Sequence, residues 1–288
     1  MAEGRGAVVL GSGFVGAAVA AELAAHREIG VLDLPTHPVL AERSPVAAQV
    51  VLDEIERLGA DVVVNTSGLL RGTDEVMHAA NVAWPTWLVE EVLVGRDVRF
   101  VHLGSAAEYG DPGSAEPVPE TAPVHPSGVY GETKWAGSHA VLAAREAGMD
   151  AVVARGFNLV ASTLPPVSPL HQFLTDVRAL PPEGGEVDLW WPETLRDFIV
   201  LDDLAAAVAR LAVAAQVPDI VNICSGIGVR FAAIVEALAE RRGLAVSIRS
   251  LDRPGIPAVV GDPTRMRSLT GVEPEMSAEL IAARIDPA

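Results

Sequence analysis

The chain has 288 residues, half of them hydrophobic and 20% charged, with 38 acidic against 21 basic side chains and a formal net charge of −17. That apolar content and length suffice for a sizeable core in one large domain or two unequal ones, which excludes low-complexity and disordered chains. The acidic balance excludes nucleic acid as a partner, since phosphate backbones need a basic footprint. The single cysteine, Cys224, excludes a disulfide framework or a multi-cysteine metal site. No metal is expected, because the seven histidines show no pairing suited to one. Residues 7–21 are uncharged but are broken by three glycines, end at Glu22 and fall short of the roughly 20 residues of a membrane span. The expectation is a soluble, cytoplasmic protein without membrane contact.

Short apolar runs alternate with longer amphipathic ones, the pattern of βαβ units around a parallel sheet. Strands are expected at 6–10, 29–32, 61–64, 98–103 and 151–154, and helices at 13–25, 46–58, 74–94 (kinked at Pro85) and 130–147. Strands this apolar suit a sheet covered by helices on both faces. A loop with four prolines runs between Asp111 and Pro126 and is long enough to be functional. Proline and glycine are frequent over 162–193, which reads as a smaller lobe able to close over a ligand. Strands at 196–200 and 220–223 and helices at 170–177, 202–215 and 230–242 follow. The expected fold is α/β: a Rossmann-type doubly wound parallel sheet over 1–160, continuing through about 196–225. The smaller C-terminal substrate-binding lobe comprises 161–195 and 226–288.

Gly11-Ser12-Gly13-Phe14-Val15-Gly16 follows the first strand and opens the first helix. Glycines there permit a tight turn and close approach of backbone to a pyrophosphate, which the helix N-terminus attracts. Asp33 closes the second strand about 20 residues further on, where a carboxylate accepts bonds from ribose hydroxyls and repels a 2′-phosphate. NAD is therefore expected, with NADP possible; the alternative for Asp33 is a turn residue before Pro35.

The only lysine in the chain, Lys134, stands four residues after Tyr130, one of only two tyrosines. On a helix the two share a face. A phenol is a weak acid, but a nearby ammonium, with the positive nicotinamide ring of an oxidised cofactor, stabilises its phenolate, so the expectation is a lowered pKa and a tyrosine that exchanges a proton with a hydroxyl. Ser105, ending the fourth strand, is placed to hydrogen-bond the same oxygen. The alternative is a surface lysine that happens to follow a tyrosine.

These residues resemble the extended short-chain dehydrogenase/reductases, the NAD-dependent epimerase/dehydratase family acting on nucleotide sugars. The resemblance extends through the glycine loop, Asp33, Asn65-Thr66-Ser67-Gly68, Asn81, Ser105-Ala106-Ala107-Glu108-Tyr109-Gly110 and Tyr130-Gly131-Glu132-Thr133-Lys134. It continues at Arg155-Gly156-Phe157-Asn158, 196–203, 222–226 and Asp262-Pro263-Thr264. It implies a catalytic triad of Ser105, Tyr130 and Lys134. Cofactor contacts are implied from Gly11 to Gly16, Asp33, Asn65, Thr66, Ser67, Gly68, Asn81 and Lys134, and substrate contacts from Ser105, Asn158, Arg196 and Arg253. It also implies a homodimer formed through the helices that hold Asn81 and Tyr130.

The departures narrow the reaction. The glycine spacing is shifted, with Leu10 where the family's first glycine falls. The family's 4,6-dehydratases carry an acidic pair directly after the serine, whereas Ala106 and Ala107 have no proton to give. Ile256 stands where epimerases commonly place an acid. The stretches 155–166 and 170–177 resemble reductases of 4-keto-6-deoxy sugars. The expected reaction is NAD(P)H-dependent reduction of the 4-keto group of a dTDP-linked 4-keto-6-deoxy sugar, with Tyr130 as general acid. A nucleotide-sugar epimerase is the alternative, and a dinucleotide sensor without chemistry is the rival from another class. His102 reads as a core residue, His125 as a loop residue and His171 as a candidate for the sugar pocket. Trp190 and Trp191 suit either base stacking or lobe packing, and Cys224 reads as buried and inert. Arg196 is the best phosphate fork, with an ion pair to Asp197 or Asp202 as its alternative.

Overall fold

A computed structural model of the chain describes residues 6–32, 43–163, 165–166, 168–251 and 255–287. Strands β1 (Ala7–Leu10), β2 (Ile29–Leu32), β3 (Val62–Asn65), β4 (Arg99–Ser105) and β5 (Ala151–Gly156) alternate with helices α1 (Phe14–Ala24), α2 (Pro45–Leu58), α3 (74–92) and α4 (Gly128–Glu146). The chain then leaves through β6 (Asn158–Val160), α5 (Pro169–Arg178), β7 (Gly185–Leu189) and β8 (Leu195–Val200), and returns through α6 (Leu201–Val213) and β9 (Ile220–Ile223). The main sheet has six parallel strands in the order β2-β1-β3-β4-β5-β9.

Side-chain alternation explains why these strands read as unbroken apolar runs. Val9, Val64 and Val101 face a layer containing Leu23 of α1 and Leu211 of α6. Their neighbours Val8, Leu10, Val63 and Phe100 face Val51 of α2, Leu88 of α3 and Val141 of α4. The ends of α2 are set locally: the Ser44 hydroxyl accepts from Ala47 N at 3.2 Å, Pro45 takes the first turn, and Gly59 closes the helix at φ +55°.

The stretch expected as a strand at 196–200 does form one, but not in the main sheet. Strand β8 instead pairs with β6, β10 (Gly228–Arg230) and β12 (Ala258–Val259). A separate parallel pair joins β7 to β11 (Val246–Ser250). Helices α5, α7 (Phe231–Arg241) and α9 (Ala278–Ile285) pack on these strands through Phe173, Val177, Leu238 and Ile281. Short strands such as β6, β10 and β12 carry too few residues for a period to show, and their pairing decides them. Helix α8 (Thr264–Thr270) returns to the main sheet's core through Met266. No helix among the described residues is long and apolar enough to cross a membrane.

Helix α3 runs on through Pro85 by widening: Trp84 N–H reaches back five residues to Ala79 O, and Leu93 N–H likewise to Leu88 O. Pro85 has no N–H to offer the Asn81 carbonyl four residues back. That carbonyl lies against Gly137 of α4, where a Cβ would sit 2.0 Å from it. Glycine at 137 thus sets how closely α3 approaches the helix carrying Tyr130 and Lys134. Gly137→Ala is expected to cost about 1–3 kcal/mol, read as a lower thermal unfolding midpoint; a native midpoint would contradict this close approach.

Candidate active site

The site lies at the carboxyl ends of β1, β3, β4 and β5, where an open α/β sheet places its ligand crevice. Gly11 adopts φ +111°, which L side chains rarely tolerate. A Cβ on Gly16 would fall 1.9 Å from Gly11 O, so the first turn of α1 closes directly onto the loop. Gly13 has open space around it, and neither a side-chain cap nor an acidic residue occupies the first turn of α1. Ser12, Gly13 and Phe14 are exposed, Val15 half-buried. The free N–H groups at this helix start fit a dinucleotide's pyrophosphate. The Thr66 hydroxyl donates to Leu10 O at 3.2 Å and binds this loop to the one after β3.

The side chains of Asn65 and Ser67 in that second loop, and of Asn81 on α3, are turned to the frame. The Asn65 amide bonds His102 Nδ1 at 3.0 Å and its oxygen accepts from the Ser67 hydroxyl. Asn81 accepts from Leu69 N at 2.8 Å and donates to Leu69 O at 2.9 Å and Thr133 Oγ1 at 3.1 Å. Both amide hydrogens are thereby committed, so Asn81 braces the 65–69 loop against α4. Gly68 is exposed beside Lys134, whose Nζ would stand 3.7 Å from a Cβ there. Asp33 and Arg253 lie outside the described residues.

Tyr130 and Lys134 are consecutive on one face of α4, with Ser138 a further turn along. Lys134 is buried, and its Nζ donates to Leu103 O at 2.7 Å. Burial lowers its pKa to about 8, against the opposing pull of the Glu108 carboxylate. Lys134 is therefore cationic at neutral pH and loses its proton above about pH 8. For Tyr130 the protein's own groups, without the nicotinamide charge, shift the pKa upward. Burial raises it, Ser105 works the other way, and Glu108 adds to the rise. Burial dominates, the Lys134 ammonium makes its hydrogen bond to Leu103 O, and the phenol keeps its proton at neutral pH.

A buried ion pair underlies the serine. Glu108 ends the short turn Ala106–Glu108 and caps its start: Oε1 accepts from Ser105 N at 2.8 Å, while Ser105 Oγ accepts from Ala107 N at 3.2 Å. Oε1 also accepts from Ser138 Oγ at 2.8 Å, and Oε2 from Arg155 Nε at 2.7 Å. The Arg155 guanidinium lies 4.5 Å from the Tyr109 ring centre and 5.5 Å from that of Trp135. Sequence reasoning assigned no role to Glu108, Arg155 or Ser138. The available signal was one acid in an apolar turn and one arginine in an apolar strand, each needing a buried partner.

The loops beside Asn158 and Arg196 are built around Asp197. Its carboxylate, fully buried, accepts from Ser225 N and Oγ, Gly226 N and Gly261 N at 2.7–3.1 Å. Burial pushes its pKa up to about 6 against those donors. Asn158, exposed, donates to Asp197 O at 2.7 Å. Arg196 forms no ion pair with Asp197, and Asp202 pairs instead with Arg284. The Arg196 guanidinium donates to Leu195 O and Ile256 O, and burial draws its pKa to about 10 while Asp111 opposes. A half-buried cation served by backbone carbonyls suits a phosphate.

The proline-rich loop is pinned across the two lobes. Val118 exchanges backbone hydrogen bonds with Val260 and Asp262, and Glu120 accepts from Asn222 N at 3.0 Å. His102 is a neutral core residue, its pKa held well below the usual value by burial and then by Lys134. Cys224 is buried, which pushes its thiol pKa up. His125 lies on the exposed loop, His171 is half-buried at the start of α5, and Trp190 and Trp191 are exposed. A cavity of about 830 Å³ lies at the opposite, amino-terminal ends of the strands, where Arg27 pairs with Asp61 and Arg99 with Asp150.

A glycine-lined helix start at the switch point of a parallel sheet, beside a tyrosine and lysine one helical turn apart, defines a nicotinamide-dependent Rossmann enzyme. The chain belongs to the NAD-dependent epimerase/dehydratase family, whose profile matches residues 7–224. It is 33% identical over 270 residues to dTDP-6-deoxy-L-talose 4-dehydrogenase (NAD(P)+) of Kitasatospora kifunensis, covering 88% of this chain and 84% of that protein. In fold it is similar to RMD from Pseudomonas aeruginosa complexed with NADPH, with TM-score 0.77, 22% identity and coverage of 97% and 96%. It is likewise similar to dTDP-glucose 4,6-dehydratase from Bacillus anthracis in complex with NAD, with TM-score 0.78, 17% identity and coverage of 97% and 94%.

Asp197→Asn places an amide against three backbone N–H groups and is expected to destabilise the protein by about 1–3 kcal/mol or more. Denaturant unfolding measures this, and an unchanged midpoint would contradict the role of Asp197 as the anchor of these loops.

Proposed function

We propose that this enzyme reduces the 4-keto group of a dTDP-linked 4-keto-6-deoxy sugar with NAD(P)H, Tyr130 acting as general acid. The observation that carries the reading is the placement of Tyr130 and Lys134 one helical turn apart on α4, close to Ser105 at the end of β4, with the Lys134 ammonium buried against Leu103 O. The nicotinamide, when bound, supplies the hydride. Ser105 orients the carbonyl oxygen, Tyr130 gives it a proton as negative charge develops, and Lys134 restrains the charge left on the phenolate. The free N–H groups at the start of α1 take the cofactor's pyrophosphate, and Arg196 and Asn158 the substrate's diphosphate.

Two further facts support reduction at position 4. Ala106 and Ala107 supply no acid for expelling a hydroxyl, as dehydration requires. The Kitasatospora relative is named for oxidation at position 4 of a dTDP-6-deoxy sugar. Oxidation of a 4-hydroxyl and reduction of a 4-ketone are one equilibrium served by the same groups. The reading further takes the enzyme as a cytoplasmic homodimer joined through α3 and α4, where small residues such as Ala79 and Ala136 are exposed.

With dTDP-4-keto-6-deoxyglucose and NADH or NADPH, one reduced cofactor is expected to be consumed per sugar, followed at the nicotinamide absorbance. Interconversion of sugars without net cofactor loss would make it an epimerase, and no reaction with any nucleotide sugar would overturn the reading. Tyr130→Phe is expected to lower kcat by about 10²-fold or more while cofactor affinity stays near native; native turnover would sink the mechanism. Because Lys134 is protonated only below about pH 8, kcat for reduction is expected to fall as pH rises through that value. A flat rate to pH 10 would show that the ammonium is not needed.

A further inference from the structure

Three buried ionisable groups adjoin the site without entering the proton transfer: His102, Glu108 and Arg155. Glu108 is the one that touches several parts of the site at once. Its carboxylate, fully buried, takes hydrogen bonds from Ser105 N on β4 and from Ser138 Oγ, one turn beyond Lys134 on α4. Arg155 on β5 fixes the other oxygen. Gly104 leaves room for this arrangement, since a Cβ there would lie 2.7 Å from Oε1. We propose that Glu108, held by Arg155, is a positioning residue of the active site: it ties Ser105 to the Tyr130–Lys134 face of α4 and serves as countercharge to the buried ammonium.

The proposal rests on reading Tyr130 and Lys134 as the proton-transfer pair. The ionisable groups facing Lys134 are His102 from β4, Glu108 from the turn and Tyr130 on its own helix. Arg155 stands behind Glu108, with Tyr109 against it. His102 is neutral, so Glu108 is the charge that favours the ammonium. It also holds the proton on Tyr130, the state an acid needs before the hydride arrives. Loss of the carboxylate loosens the serine and weakens the hold on both protons together.

The solitary lysine makes a direct test available. In the full-length protein carrying isotopically labelled lysine, the NMR signal reports Lys134 alone, with a midpoint near pH 8 expected. In Glu108→Gln the midpoint is expected to drop by roughly one pH unit. For the reduction of dTDP-4-keto-6-deoxyglucose, kcat is expected to fall about tenfold or more, with KM changed less. Glu108→Gln leaves a buried arginine unpaired, and that variant can fail to fold. Glu108→Gln/Arg155→Met removes both charges, is expected to fold, and carries the same two expectations. A folded double variant with a native lysine midpoint or native kcat overturns the proposal. So does a double variant that cannot fold, because the pair would then hold the fold rather than the site. Native turnover in Tyr130→Phe counts against the functional reading instead, and leaves the lysine titration to test the coupling.

Discussion

The site depends on keeping one ammonium inside the protein. Lys134 is buried, and burial lowers its pKa to about 8. The fold answers with the Leu103 carbonyl near the end of β4, which accepts from Lys134 Nζ, and a carboxylate, Glu108, that ends the turn after β4. Both belong to the segment that ends in Ser105 and its turn. Strand β4 and the turn after it thus hold the serine, the carbonyl that accepts from the lysine and the Glu108 carboxylate within six residues of chain. Such concentration leaves little freedom for any of them to move separately.

Rigidity around this point comes from polar groups spent on the backbone. Asn81 gives its amide hydrogens to Leu69 and Thr133, joining the loop after β3 to the helix of Tyr130. Asp197 gathers the loops after β9 and β12 through N–H donors, and its carbonyl holds Asn158. The 111–126 loop bridges the lobes through Val118 and Glu120. Each buried polar atom is expensive when unpaired, so these contacts define one arrangement rather than several. Preorganisation of that kind is what proton and hydride transfer at fixed distances require.

Much of this was readable along the chain. The main-sheet strands appeared as apolar runs because helices cover both faces, and β1, β2 and β9 agree with their expected bounds to within a residue. The glycine loop was legible because Gly11 and Gly16 are demanded by backbone geometry, which leaves no other residue type suitable. Tyr130 and Lys134 were legible because a single helical turn relates them. Strand β8 was recognised but placed in the wrong sheet, since apolar runs do not name their neighbours. The surroundings of Tyr130 were hidden for a similar reason: spacing reveals that an ammonium is near, but not that it bonds Leu103 O or how deeply the phenol is buried.

The sequence by itself determined the alternation of strand and helix, the dinucleotide-type glycine turn, and the pairing of the only lysine with a tyrosine. Those are local relations, carried by periodicity and by residues adjacent on one element. Only the tertiary structure decided that Glu108 and Arg155 meet beneath Ser105, that Asn81 and Asp197 are braces, and that Tyr130 holds its proton. These depend on burial and on partners 12 to 64 residues apart. Desolvation is a property of the assembled protein, and no local pattern in the chain encodes it.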